Sequence, residues 1–159
     1  MFRLTIVAVG TLKEGYLREA CAEYEKRLGA FCKPEIIQIK ETKLPDDPGA
    51  GEIAAALAGE GEKILAALPP KAYRVALCVE GKQFSSEELA ARLGEIAATS
   101  GALALVIGSS YGLAPAVKEA CDLRLSVSKL TFPHQFMRVI LLETVYRAFG
   151  ILKGTKYHK

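Results

Sequence analysis

The 159-residue sequence contains no CxxC pair, only two histidines, and no apolar run approaching the ~20 residues of a membrane span. The four cysteines, Cys21, Cys32, Cys78 and Cys121, are 11, 46 and 43 positions apart, and neither histidine is near any of them. That spacing argues against zinc or any other metal. Cys21 and Cys121 stand among alanines in helical patterns and Cys78 in a strand pattern, so they read as small buried thiols. The start, Met1-Phe2-Arg3-Leu4, lacks the features of a signal peptide. Phosphate signatures are missing too. Gly10 and Gly15 have the P-loop interval, but Tyr16 stands where lysine is required, and no GxGxxG follows a strand.

What is present is apolar material: 50% of residues are hydrophobic and 25% charged, enough for a packed core without disulfides. The expectation is one soluble cytoplasmic domain spanning residues 1–159, with no membrane association. The net charge of +3 is unevenly spread. Residues 124–159 carry seven basic residues against Glu143 alone, net +6, which leaves −3 for the rest. A basic carboxyl end on a mildly acidic body predicts a polyanionic partner held there.

Strand and helix patterns alternate along the chain. Strands are expected at 4–9, 35–39, 73–79, 102–107 and 123–127, and helices at 14–28, 52–68, 85–96, from Pro115, and 135–152. Ser85 and Glu88 form a capping box. Ala102–Ile107 is wholly apolar, as at the centre of a parallel sheet. On the last helix, Phe136, Val139, Ile140, Val145, Tyr146 and Phe149 are expected to share the buried side. Residues 41–51, with two prolines and two glycines, read as a loop. The alternation predicts an α/β fold with a largely parallel sheet.

Three segments could carry chemistry. Gly108-Ser109-Ser110-Tyr111-Gly112 is a GxSxG between strand and helix, and Asp122 and His134 follow in hydrolase order. A serine hydrolase using Ser110 is thus one reading; a glycine turn that lets a ligand approach the strand end is the other. In Ser128–Arg138, Pro133 opens a helix, and His134 and Arg138 lie one turn apart on the same face. Such a pair could contact phosphate or handle a proton. Tyr157-His158-Lys159 is a flexible end or a tip that stacks on a base and grips phosphate.

Together these segments resemble the SPOUT-type RNA methyltransferases, specifically those acting on large-subunit ribosomal RNA. The likeness is carried by Val7–Thr11, Glu23–Arg27, Val106–Gly108 with Gly112-Leu113, Ser126–His134, Arg138-Val139, Glu143, Tyr146–Ala148 and Tyr157–Lys159. Ser109-Ser110-Tyr111 departs from it, filling a stretch where many relatives have a further glycine. The resemblance implies an α/β knot fold with a carboxyl-terminal trefoil knot, an exception to unknotted topology. It also implies a homodimer and S-adenosylmethionine as cofactor. By that likeness Leu77 at the end of the third strand, Gly108, and Val127, Ser128, Lys129, Leu130, Thr131 and Phe132 bind the cofactor. His134, Arg138, Tyr157 and His158 serve catalysis, with His134 as base or water-orienter, Arg138 as anion partner and the tail closing over the nucleotide. The implied reaction is methylation of N3 of a pseudouridine in 23S ribosomal RNA on the assembled ribosome. A ribosome-binding protein that kept the fold without catalysis is a third reading.

Overall fold

A computed structural model describes residues 1–159. The elements run β1 (Phe2–Val9), α1 (Gly15–Leu28), β2 (Cys32–Ile39), α2 (Ala50–Ala67), β3 (Tyr73–Lys82), α3 (Ser86–Thr99), β4 (Ala102–Ile107), α4 (Pro115–Glu119), β5 (Leu123–Leu125) and α5 (His134–Leu152). The five strands pair in the order β2-β1-β4-β3-β5, every neighbour parallel. No helix is long and apolar enough to cross a membrane.

Side chains of a strand alternate between faces, and here both faces are covered. Leu4, Ile6 and Ala8 of β1 with Leu103, Leu105 and Ile107 of β4 enter a core shared with α1, α3 and α5. Val7, Val9, Ala104 and Val106 point the other way, toward Ile64 of α2 and Val117 of α4. β4 is buried along its whole length, as its unbroken apolar run predicts.

The departures from expectation have local causes. β2 begins at Cys32 rather than Glu35, passing through Pro34. Because β2 is an edge strand bonded only to β1, a residue without an N–H is tolerated there. β3 continues to Lys82, so Leu77 is not its last residue; the ladder with β5 breaks between Leu77 and Lys82, both of which register with Leu125. β5 stops at Leu125, where the Ser126 N–H donates to the Lys82 carbonyl at 3.0 Å. The capping box forms: Glu88 N donates to Ser85 Oγ and Ser85 N to Glu88 Oε2.

α5 buries Leu141, Leu142, Val145, Ala148 and Phe149, while Phe136 remains 41% exposed. Apolar residues surround this helix almost completely, so spacing alone cannot choose the inward side. Leu142 is fully buried in the core shared with the sheet. Leu142→Ala is expected to cost about 2–5 kcal/mol, read as a lower urea midpoint with little change in slope.

Candidate functional site

In parallel α/β sheets the loops after the strands gather at the carboxyl edge, and ligands bind there. Two adjoining clefts open at that edge in this chain. The first, about 760 Å³, lies beyond β3, β4 and β5. It is lined by Leu77, Gly108, Val127, Ser128, Leu130, Thr131 and Phe132, and by His134 at the start of α5. Lys129 is the one residue of the expected cofactor set that does not line it; its side chain is exposed.

Apolar side chains and a tightly folded loop build the walls. Ser126 is 4% exposed and its hydroxyl donates to the Ser128 carbonyl at 3.2 Å. The Leu130 N–H donates to Ser128 Oγ at 3.0 Å. These bonds fold 126–130 into a tight loop. Beside it the chain passes very close to β3: a Cβ on Gly81 would lie 2.5 Å from the Leu125 carbonyl carbon. After β4, the Gly112 N–H donates to the Ser109 carbonyl at 2.9 Å, and Gly112 has φ +93°, closing a turn that borders the cleft.

The GxSxG is this turn and not a nucleophile elbow with a triad. Ser110 is exposed, and Asp122 Oδ2 accepts the Arg74 N–H at 2.8 Å near the start of β3. Arg74 is level with Ala104 of β4, roughly 13 Å along the strand from Gly108 at 3.3 Å per residue. Asp122 therefore sits toward the opposite edge of the sheet from His134, and the three residues do not assemble.

His134 lines the first cleft, and its Nε2 is buried without a hydrogen-bond partner. A Cβ on Gly10 would lie 3.9 Å from that nitrogen, so the ring stands at the wall between β1 and the cleft. Arg138, one turn on, does not present itself to an anion. It is 4% exposed; Nη1 donates to Gln38 Oε1 at 3.0 Å and Nη2 to the Gly10 carbonyl at 3.2 Å. Burial pulls its pKa below the ordinary value, offset in part by Cys21 and Glu25. Arg138 thus clamps the end of β1 to α5.

Tyr157 and His158 stand elsewhere in the same chain. Tyr157 hydroxyl donates to Glu143 Oε1 at 3.1 Å, and its ring meets Tyr146 edge-on at 4.8 Å between centroids. Burial first, then hydrogen bonding with Tyr24 and Glu143, pushes the Tyr157 phenol up to about 12, so it keeps its proton at neutral pH. His158 bridges Arg147 at 3.3 Å and Glu87 at 2.7 Å. Glu143 lies nine positions beyond His134 on the helix, about 13 Å along the axis.

The basic carboxyl end also divides. Arg138 is buried, Arg147 is paired to Glu143 at 2.6 Å, and Arg124, midway along β5, is exposed. Lys129, Lys153, Lys156 and Lys159 remain exposed. Cys21 and Cys32 are buried, Cys78 and Cys121 half-buried, and all are free thiols; burial pushes Cys32 and Cys121 up to about 11.

A family model described as "Predicted SPOUT methyltransferase" matches residues 2–158. The chain is 48% identical over 160 residues to a protein of Moorella thermoacetica named ribosomal RNA large subunit methyltransferase H, covering 100% of both chains. It is 46% identical over 158 residues to the protein of that name from Bifidobacterium adolescentis, covering 99% of each. Among solved structures, a probable methyltransferase from Bordetella pertussis Tohama I superposes with TM-score 0.59 at 16% identity, over 92% of this chain and 94% of that one. That likeness is one of fold.

Proposed function

The chain belongs to the SPOUT methyltransferase family, and from that premise we propose that it methylates large-subunit ribosomal RNA, at N3 of a pseudouridine on the assembled ribosome. The cofactor of this reading is S-adenosylmethionine, and the work is done in the cytoplasm where ribosomes are. The observation that carries it is the cleft beside the 126–132 loop, with the unpartnered His134 nitrogen at its wall. Its apolar side chains, Leu77, Leu125 and Phe132, suit an adenine ring, and the main chain of the loop can read that ring's polar edge without charged side chains. When bound, S-adenosylmethionine supplies an electrophilic methyl group. The chain's own task is to hold the RNA base in line with it and to accept the imide proton. His134 is the residue for that proton. A carboxyl-terminal trefoil knot enters this reading through the family.

The tail enters this reading as part of a homodimer. Tyr157 and His158 pack along α5 well away from His134 of their own chain. Tyr16 on α1 and Phe136 on α5 are exposed aromatics available to a second copy. Truncation after Lys156 is expected to abolish transfer while cofactor affinity and dimer mass stay unchanged. Mixing truncated subunits with His134→Ala subunits should restore transfer, because one site then has both parts. No restoration would place the tail's work within its own chain.

The test of the function is transfer of labelled methyl to ribosomes lacking the modification, with separate subunits and free rRNA alongside. Label in one large-subunit pseudouridine, on ribosomes alone, is the expected result. No label in any of them, with folded protein, would favour a binder without catalysis.

A further inference from the structure

Beside the first cleft lies a second, about 700 Å³, that the proposed reaction has not yet used. From β1 the chain turns outward to β2, and from β4 it crosses the other way to β5. The carboxyl ends of β1 and β4 therefore diverge into a crevice, the usual ligand position of an open α/β sheet. Gly10 and Ser109 follow those two strands and line it. Ser109 and Tyr111 border both clefts, so the two adjoin, and His134 of the first lies 3.9 Å from a Cβ built on Gly10 of the second.

Glu60 of α2 also lines this cleft and is 3% exposed. Its Oε2 accepts the Thr42 N–H at 2.8 Å, which pins the loop after β2. Its Oε1 is buried with no partner. Buried polar atoms are nearly always paired, so an orphan beside a cavity points to a ligand that completes it. Lys13, Lys40 and Lys43 are balanced around the cleft by Glu41, Asp46 and Glu60 itself. Balanced charge does not concentrate a polyanion; it suits an uncharged polar ring with an N–H to donate.

We propose that this second cleft receives the target nucleotide, turned out of its stack, and that Glu60 Oε1 accepts a hydrogen bond from a ring N–H of the base. The assignment rests on methyl transfer to RNA as read above. Pseudouridine carries two ring N–H groups, N1 and N3, whereas uridine in RNA carries only N3. With N3 turned toward His134 and the first cleft, N1–H is the donor left for Glu60. A site built to pair that group rejects the base lacking it, so Glu60 sets the preference for pseudouridine.

Two variants test this. Glu60→Gln keeps an oxygen for the Thr42 N–H but places an amide NH2, a donor, where the free oxygen stands. Thr11→Trp fills the exposed rim of the second cleft without touching the first. Each is expected to lower kcat/KM on pseudouridine-bearing ribosomes about 10- to 100-fold, the scale of one mispaired buried bond, at unchanged S-adenosylmethionine affinity. Glu60→Gln should also narrow the gap to ribosomes carrying uridine at the target. Independently of activity, pseudouridine 5′-monophosphate should shift the amide signals of Gly10 and Thr42 in the wild-type protein and not in Thr11→Trp. Wild-type rates in both variants, an unmoved Gly10 signal, or lost cofactor affinity in Glu60→Gln would each overturn the proposal. An inactive wild-type protein would instead remove the reading on which it rests.

Discussion

Gly108→Ala is expected to abolish cofactor binding and to lower the thermal midpoint. A Cβ at this position would lie 2.3 Å from the Gly112 carbonyl oxygen and 2.6 Å from its carbon. Both are main-chain atoms of a turn held by the Gly112 N–H to Ser109 bond, so no side chain can rotate out of the way. The 109–112 turn must lift off the end of β4, and that turn borders both clefts. Overpacking of this kind costs about 1–3 kcal/mol. For a chain of this size that corresponds to a fall of roughly 2–12 °C in Tm. Gly59→Ala is the control: nothing lies within 4 Å of a Cβ there, and the position is inside α2. It should gain about 0.5–1 kcal/mol and bind cofactor normally. Calorimetric titration and a thermal melt decide the matter, and equal affinity in Gly108→Ala would mean that the turn yields.

His134→Ala is expected to reduce methyl transfer about 10²- to 10⁴-fold, the range for loss of a positioned proton acceptor. Cofactor affinity should change little, because the cleft's apolar side chains and main chain remain. The expectation follows from the buried, unpaired Nε2 at the wall between the clefts. Tyr157 is no substitute base, since its phenol is pushed up to about 12 by burial and by Tyr24 and Glu143. Single-turnover rates on unmodified ribosomes measure the effect directly. A rate near wild type would show that the imide proton leaves to water.

Local patterns were readable wherever one residue type carries one structural meaning. The apolar run 102–107 marked the central strand, and Ser85 with Glu88 marked a helix start. The start of β2 at Cys32 was not readable, because what Pro34 allows depends on strand order: it forbids a central strand and permits an edge one. The surroundings of Arg138 were not legible either: one turn from His134 it reads as an anion partner, and the fold buries it with Nη1 and Nη2 bonded to Gln38 and Gly10, about a hundred residues or more away in sequence, and Nε unpaired. The loop residues that gather in the first cleft came from the family likeness, since periodicity says nothing about loops. The second cleft was hidden entirely. Glu60 sits on a helix where a carboxylate normally faces solvent, and only the packing of 40–46 over it makes it buried.

The position of α5 sets the order in which the molecule can be made. Leu141, Leu142, Val145, Ala148 and Phe149 cover one face of the sheet together with residues of α1 and α3. Until that helix has docked, the part of the apolar face that α1 and α3 leave uncovered is bare on the nascent chain. The contacts that close the core join residue 4 to residues beyond 140, so their loop entropy is met last. The chain with α5 not yet docked is therefore the form most exposed to aggregation.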